Sequence, residues 1–212
     1  MSAPGLLAML VAGAAAIAAA LGLHSSSGVP ARTRAEIRLQ TLAGVAHRLY
    51  IEEAKGTIAR HDAGRIARDP QVIAALRSGN HAALRAAAFR ELYLPYHVVR
   101  LAIHGSGIAT DVGGPFVIAP ERHTFTVAGR TATVDASVQD VAGLVKLIHR
   151  QTGLQSDVRD HHGHEYTNLP RPGLRLPTSG VVTIGARARL VRSFTVTGWG
   201  HTQLLVRLIE PL

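Results

Sequence analysis

The sequence gathers its metal-ligating chemistry in one segment, Asp160-His161-His162-Gly163-His164-Glu165. Imidazole and carboxylate suit Zn²⁺, Ni²⁺ or Cu²⁺, so a metal-dependent hydrolase using this turn is one reading of the chain. The spacing speaks against it. It is neither HExxH nor a helical ligand pair, and Gly163 marks a hairpin turn that sends side chains in divergent directions. We read the segment as a solvated turn and assign no metal ligand and no cofactor. Ser106 lies in Gly-Ser-Gly rather than in a GxSxG elbow. Pro115 follows Gly113-Gly114 and removes a donor that a phosphate loop would need. No carboxylate pair is spaced for acid–base work. No catalytic residue is assigned.

Two other places carry binding chemistry. Arg100 and His104 alternate with Val99, Leu101 and Ile103, so they share one strand face. Facing a pocket, Arg100 would clamp a carboxylate with two parallel hydrogen bonds; facing water, it is an ordinary surface arginine. Ser137 stands where a helix N-cap belongs, with Asp140 three residues on. The free N–H groups at such a helix start favour an anion. The expected ligand-binding residues are therefore Arg100, His104, Ser137 and Asp140, and the expected ligand is a small carboxylate or similar anion.

The elements that must position these residues follow from periodicity. Ala132, Val134 and Ala136 alternate with Thr131, Thr133, Asp135 and Ser137, which is a strand with one buried face. Val138, Val141, Val145, Ile148 and Thr152 then recur at helical spacing, and Gly153 ends the helix. Before this, Thr33-Arg34-Ala35-Glu36 forms a capping box for a helix running to about Arg60. Asp69-Pro70 and Asn80 start two shorter helices. Gly105-Ser106-Gly107 turns a hairpin. After the central helix come further strands, an irregular Pro-rich loop from Leu169 to Pro177, and a last strand, Leu204 to Ile209, apolar on both faces and so expected in the middle of the sheet. The loops from Asp111 to Pro120 and from Leu169 to Gly180 are expected to line the binding site. No internal repeat is visible.

The 212 residues suit one domain with an appendage. Gly5 to Leu23 is uncharged and long enough to nearly span a bilayer core of roughly 30 Å; we read it as a membrane anchor, with a cleaved signal peptide as the alternative. The net charge of +9 is spread along the chain without a basic run, and aromatics are only 4%. Single-strand stacking platforms are therefore scarce, and nucleic acid is not expected as a partner.

In this layout the chain resembles the extracytoplasmic Cache, or PDC, sensor domains, which are PAS-like. The residues that carry the resemblance are Arg68-Asp69-Pro70-Gln71-Val72, Ala75 to Gly79, His97 to Ile103 leading to Asp111, Gly113-Gly114-Pro115, and Ser137-Val138-Gln139-Asp140 with Gly143 and Lys146. It covers roughly Thr33 to Leu212. The fold it implies is α+β: an N-terminal transmembrane helix, a long helix plus short helices, and an antiparallel PAS-like sheet interrupted by one helix. Residues 1–30 are the anchor and linker, 31–95 the helical part, and 96–212 the sheet with its central helix. The function it implies is non-enzymatic recognition of a small molecule by a single-pass, membrane-anchored, extracytoplasmic domain. The chain departs from that family in carrying no kinase, methyl-accepting or cyclase segment, so it is expected to be a stand-alone sensor or binding subunit with a separate signalling protein as partner, or a fragment of a larger receptor. The arginines after the apolar run, taken alone, would place the domain inside the cell; the resemblance places it outside. The stripe of the long helix is expected to allow at most weak homodimerisation, because it must also cover the sheet.

Overall fold

Gly56 divides the long helix expected from the sequence. The computed structural model describes residues 30–93 and 98–212. Residues Ala35–Leu212 form a compact unit to which both sheets belong. The apolar run Gly5–Leu23 lies outside the described residues; among those, no helix is long and apolar enough to cross a membrane. Helix α1 (Ala31–Lys55) starts ahead of the expected capping box. Helix α2 (Thr57–Ala67) follows at once. Between them a Cβ on Gly56 would collide with the Glu52 carbonyl, so glycine permits a change of direction that any larger residue would oppose.

The next helices begin as the caps predict. The Asp69 carboxylate accepts from the N–H groups of Gln71 at 2.7 Å and Val72 at 3.2 Å, opening α3 (Pro70–Ser78), and Gly79 closes it in the left-handed region. Asn80 accepts from Ala83 N–H at 3.0 Å and opens α4 (His81–Tyr93).

The strands form two antiparallel sheets, not the single sheet expected. The first contains β1 (Arg100–Gly105), β2 (Ile108–Gly113), β3 (Glu121–Val127) and β4 (Arg130–Ser137), in the order β2-β1-β4-β3. Helix α5 (Val141–Thr152) then leads to β5 (Gln155–Asp160), β6 (Glu165–Thr167), β7 (Ser179–Ile184), β8 (Arg187–Thr197) and β9 (Gln203–Pro211), in the order β6-β5-β9-β8-β7. Strand β9 takes the middle, as its two apolar faces require. β1 and β3 already pair with both edges of β4, so β5 does not join beside it and pairs with β6 and β9 instead. Both sheets are wound alike. Each opens with a hairpin, crosses over, and returns so that its last strand lies beside its first. This is a repeat of topology that the sequence does not display.

Each sheet has its own core. Leu101, Ile103, Val134 and Ala136 pack against Ile66, Leu76 and Leu84 of α2–α4. Val158, Leu204, Val206 and Leu208 pack against Leu144, Val145 and Ile148 of α5 and Leu39, Leu42, Ala46 and Tyr50 of α1. At the far end of that interface Arg38 meets the buried Glu210 carboxylate at 3.3 Å.

The Pro-rich loop closes the other face of the second sheet. Leu169, Leu174 and Leu176 join Val191, Ile209, Val182 and Ile184 in a third apolar cluster. Glu165 pins the loop by accepting from Gly173 N–H, and Arg159 donates to both Glu165 and the Leu174 carbonyl. The expectation that this loop lines the binding site is therefore corrected: it is core cover, and its leucines, spaced between the prolines, do the covering.

Candidate ligand-binding groove

The free face of the first sheet is built by register. Ala102 lies opposite Asp111 on one side and Asp135 on the other, and Asp135 lies opposite Arg122. Residues opposite one another share a face, so Asp111, Ala102, Asp135 and Arg122 form one row across four strands. His104 stands one step along the same face, because Leu101 and Ile103 point to the helices.

This row floors an open groove of about 720 Å³. Its other walls come from the end of α1 (His47, Tyr50, Ile51, Lys55), from Pro120 and Glu121, and from Thr195–His201, where β8 turns towards β9. Tyr50 ties the helix wall to this turn. Its hydroxyl donates to the Thr197 carbonyl at 2.9 Å and accepts from the Thr197 N–H at 3.2 Å. Burial raises the Tyr50 pKa more than those hydrogen bonds lower it, so the phenol is neutral.

The carboxylates that line the groove, Asp111, Glu121 and Asp135, are each paired with an arginine. Arg122 donates two bonds to Asp135, at 2.7 and 2.8 Å. Arg100 donates two to Asp111, at 3.0 and 2.9 Å, and further bonds to the carbonyls of Gly114 and Pro115. Trp199, the chain's single tryptophan, donates its ring N–H to Asp111 at 3.3 Å and lies under the Arg100 guanidinium. Glu121 faces Arg60 at 3.6 Å. Among the described basic residues of the groove, His47, Lys55, His104 and His201 make no side-chain hydrogen bond or ion pair, and the His47 ring packs against Tyr50 and Phe194.

The four residues expected at the site do not converge. His104 lines the groove. Arg100 shares its strand face but lines a separate hollow of about 230 Å³ behind Trp199, and the carboxylate it clamps is Asp111. Ser137 is buried, and its hydroxyl donates to the Ile118 and Gln139 carbonyls. It is not the helix cap. Asp140 caps α5 instead, accepting from Gly143 N–H at 2.6 Å, so a carboxylate already occupies the helix start where an anion was expected. Asp140 borders a third hollow beside Phe116 and Tyr166.

The histidine-rich turn is braced by its own aspartate. Asp160 accepts from His162 and His164 N–H at 2.9 Å each and from the His164 ring at 2.7 Å. Burial alone would raise the Asp160 pKa, but these bonds and the His164 charge outweigh it and hold the carboxyl below its ordinary range. Among the described residues no three histidine or carboxylate groups are placed to hold a metal.

Sequence reading missed Lys55, His201 and Trp199, and placed Asp111 only at the start of a loop expected to line the site. One signal for Asp111 was available. The Gly105-Ser106-Gly107 turn sets the hairpin register, and that register puts Asp111 opposite Ala102. Nothing local could have brought Lys55 and His201 to the same groove.

No protein-family model and no curated protein matches the sequence. Solved structures do. The ligand-binding domain of the Pseudomonas fluorescens chemoreceptor CtaA, in complex with L-serine, is similar at 12% identity and a TM-score of 0.42, over 85% of this chain and 98% of that one. The sensory domain of the Campylobacter jejuni chemoreceptor Tlp3, with isoleucine bound, is similar at 11% identity and a TM-score of 0.42, over 87% and 98%. The extracellular domain of the putative histidine kinase vpHK1S-Z8 gives 10% identity and a TM-score of 0.46, over 85% and 95%. These three are ligand-binding, sensory or extracellular domains of receptors.

Proposed function

We propose that the chain is a sensor domain that binds a small anionic molecule, of carboxylate type, in the groove on the free face of the first sheet. One observation carries this reading: each carboxylate of the groove is paired with an arginine, which leaves His47, Lys55, His104 and His201 as its basic side chains without a hydrogen bond or ion pair. A volume of about 720 Å³ falls within the usual range for small-molecule sites. Arg100 acts indirectly, by fixing Asp111 and Trp199 in the wall. In this reading the domain lies outside the cytoplasm, tethered through its apolar N-terminal run, and hands its state to a separate signalling protein.

A thermal-shift screen of organic acids, amino acids, sugars and amines tests the proposal. A ligand at about 100 times its Kd stabilises by roughly 2.7 kcal/mol, a shift of several degrees. Hits confined to acids and weakened by Lys55→Ala and by His104→Ala support it. Hits confined to amines or neutral sugars overturn the anion assignment.

A further inference from the structure

The charge of this chain is unevenly shared. From Tyr166 to Leu212 there are six arginines and one acidic residue, Glu210. Glu210 pairs with Arg38, and Arg207 pairs with Asp157. Among the described residues, Arg171, Arg175, Arg187, Arg189 and Arg192 have no ion pair.

Four of these fall on one side of the second sheet. Leu169, Leu174 and Leu176 turn inward to the third apolar cluster, while Arg171 and Arg175 of the same loop stay exposed. Val182 lies opposite Arg189 and Ile184 opposite Arg187. Val182 and Ile184 belong to that same cluster, so both arginines emerge on the side the loop covers. Arg189 also holds a buried Nε–H without a partner. A proline-stiffened loop and a strand hairpin thus present four guanidinium groups over an apolar base with no carboxylate left among them.

We propose that this face docks on anionic phospholipid. The guanidinium fork matches phosphate oxygens, and a basic cluster near a bilayer is attracted to its anionic headgroups. The patch shares no residue with the groove.

The full-length protein is tested by flotation with vesicles of phosphatidylcholine alone and of an equimolar phosphatidylcholine–phosphatidylglycerol mixture. Binding through the apolar run is common to both, so the difference between them reads the patch. Phosphatidylglycerol is expected to strengthen binding by about tenfold or more, an advantage that shrinks as salt rises. The variant Arg171→Gln, Arg175→Gln, Arg187→Gln, Arg189→Gln should lose that advantage while keeping its melting temperature. A control removing four exposed cations elsewhere, Arg77→Gln, Arg130→Gln, Lys146→Gln and Arg150→Gln, should keep it. Equal loss in the control reduces the effect to net charge and overturns the proposal. No effect of phosphatidylglycerol also overturns it. So does patch-dependent binding to duplex DNA that is tighter than binding to the mixed vesicles.

Discussion

The guanidinium of Arg100 lies 4.6 Å from the centroid of the Trp199 ring, and Asp111 accepts hydrogen bonds from both. The contact joins the first strand of one sheet to the turn that ends β8 in the other. It also makes Trp199 the wall between the groove and the hollow that contains the histidine-rich turn.

Arg100→Ala removes a partly exposed bidentate pair and a cation–π contact. It is expected to destabilise the domain by about 1–2 kcal/mol. The emission of the single tryptophan should change as well, because its neighbour is charged. Chemical denaturation followed by tryptophan fluorescence reads both; unchanged emission would separate the two residues in solution.

Tyr50→Phe leaves the ring in the core and deletes only the hydroxyl that bonds both backbone groups of Thr197. A loss of about 1 kcal/mol is expected. The α1 wall should loosen from the turn, seen as faster amide exchange at Thr197. Unaltered exchange there would show that the turn is held by Val117 and Ala119 without the helix.

Leu176→Ala tests whether the Pro-rich loop is core. Its side chain is buried, at 8% relative exposure. A cost of about 2–3 kcal/mol is expected, with ligand binding in the groove unaffected. A change within about 0.5 kcal/mol, the range of ordinary surface substitutions, would return the loop to a purely exposed role.

Two carboxyls set opposite pH slopes. Burial raises the Glu210 pKa above 4.5, against the opposing charge of Arg38. A carboxyl raised in the folded state stabilises fully below its unfolded value, and this contribution is lost as pH rises through the folded one. Asp160 is lowered, so its contribution is present above 3.8 and lost as pH falls through its folded value. Melting curves from about pH 3 to 7 should therefore show Glu210→Gln removing a decline towards neutrality, and Asp160→Asn removing part of the loss in acid. Parallel profiles for both variants and the parent would contradict the assignment.

Local chemistry determined much of this protein from its sequence. The carboxylate of Asp69 and the amide of Asn80 start helices because short polar side chains satisfy free N–H groups nearby in the chain. The alternation in β1 set Arg100 and His104 apart from its apolar residues, and that in β4 did the same for Asp135, since strand side chains alternate whatever lies beyond them. What the tertiary structure decided was pairing over distance. The strands before and after α5 read as one sheet until the edges of β4 are seen to be filled. Ser137 read as a cap until burial turned its hydroxyl to the Ile118 carbonyl, nineteen residues away, and left the helix start to Asp140. Arg100 read as a ligand clamp until Asp111 and Trp199, eleven and ninety-nine residues on, closed around it. A residue's face follows from the two-residue period of its own strand, whereas its partner depends on which other segments pack against that face. Only the folded chain brings Lys55, His104 and His201 to one groove.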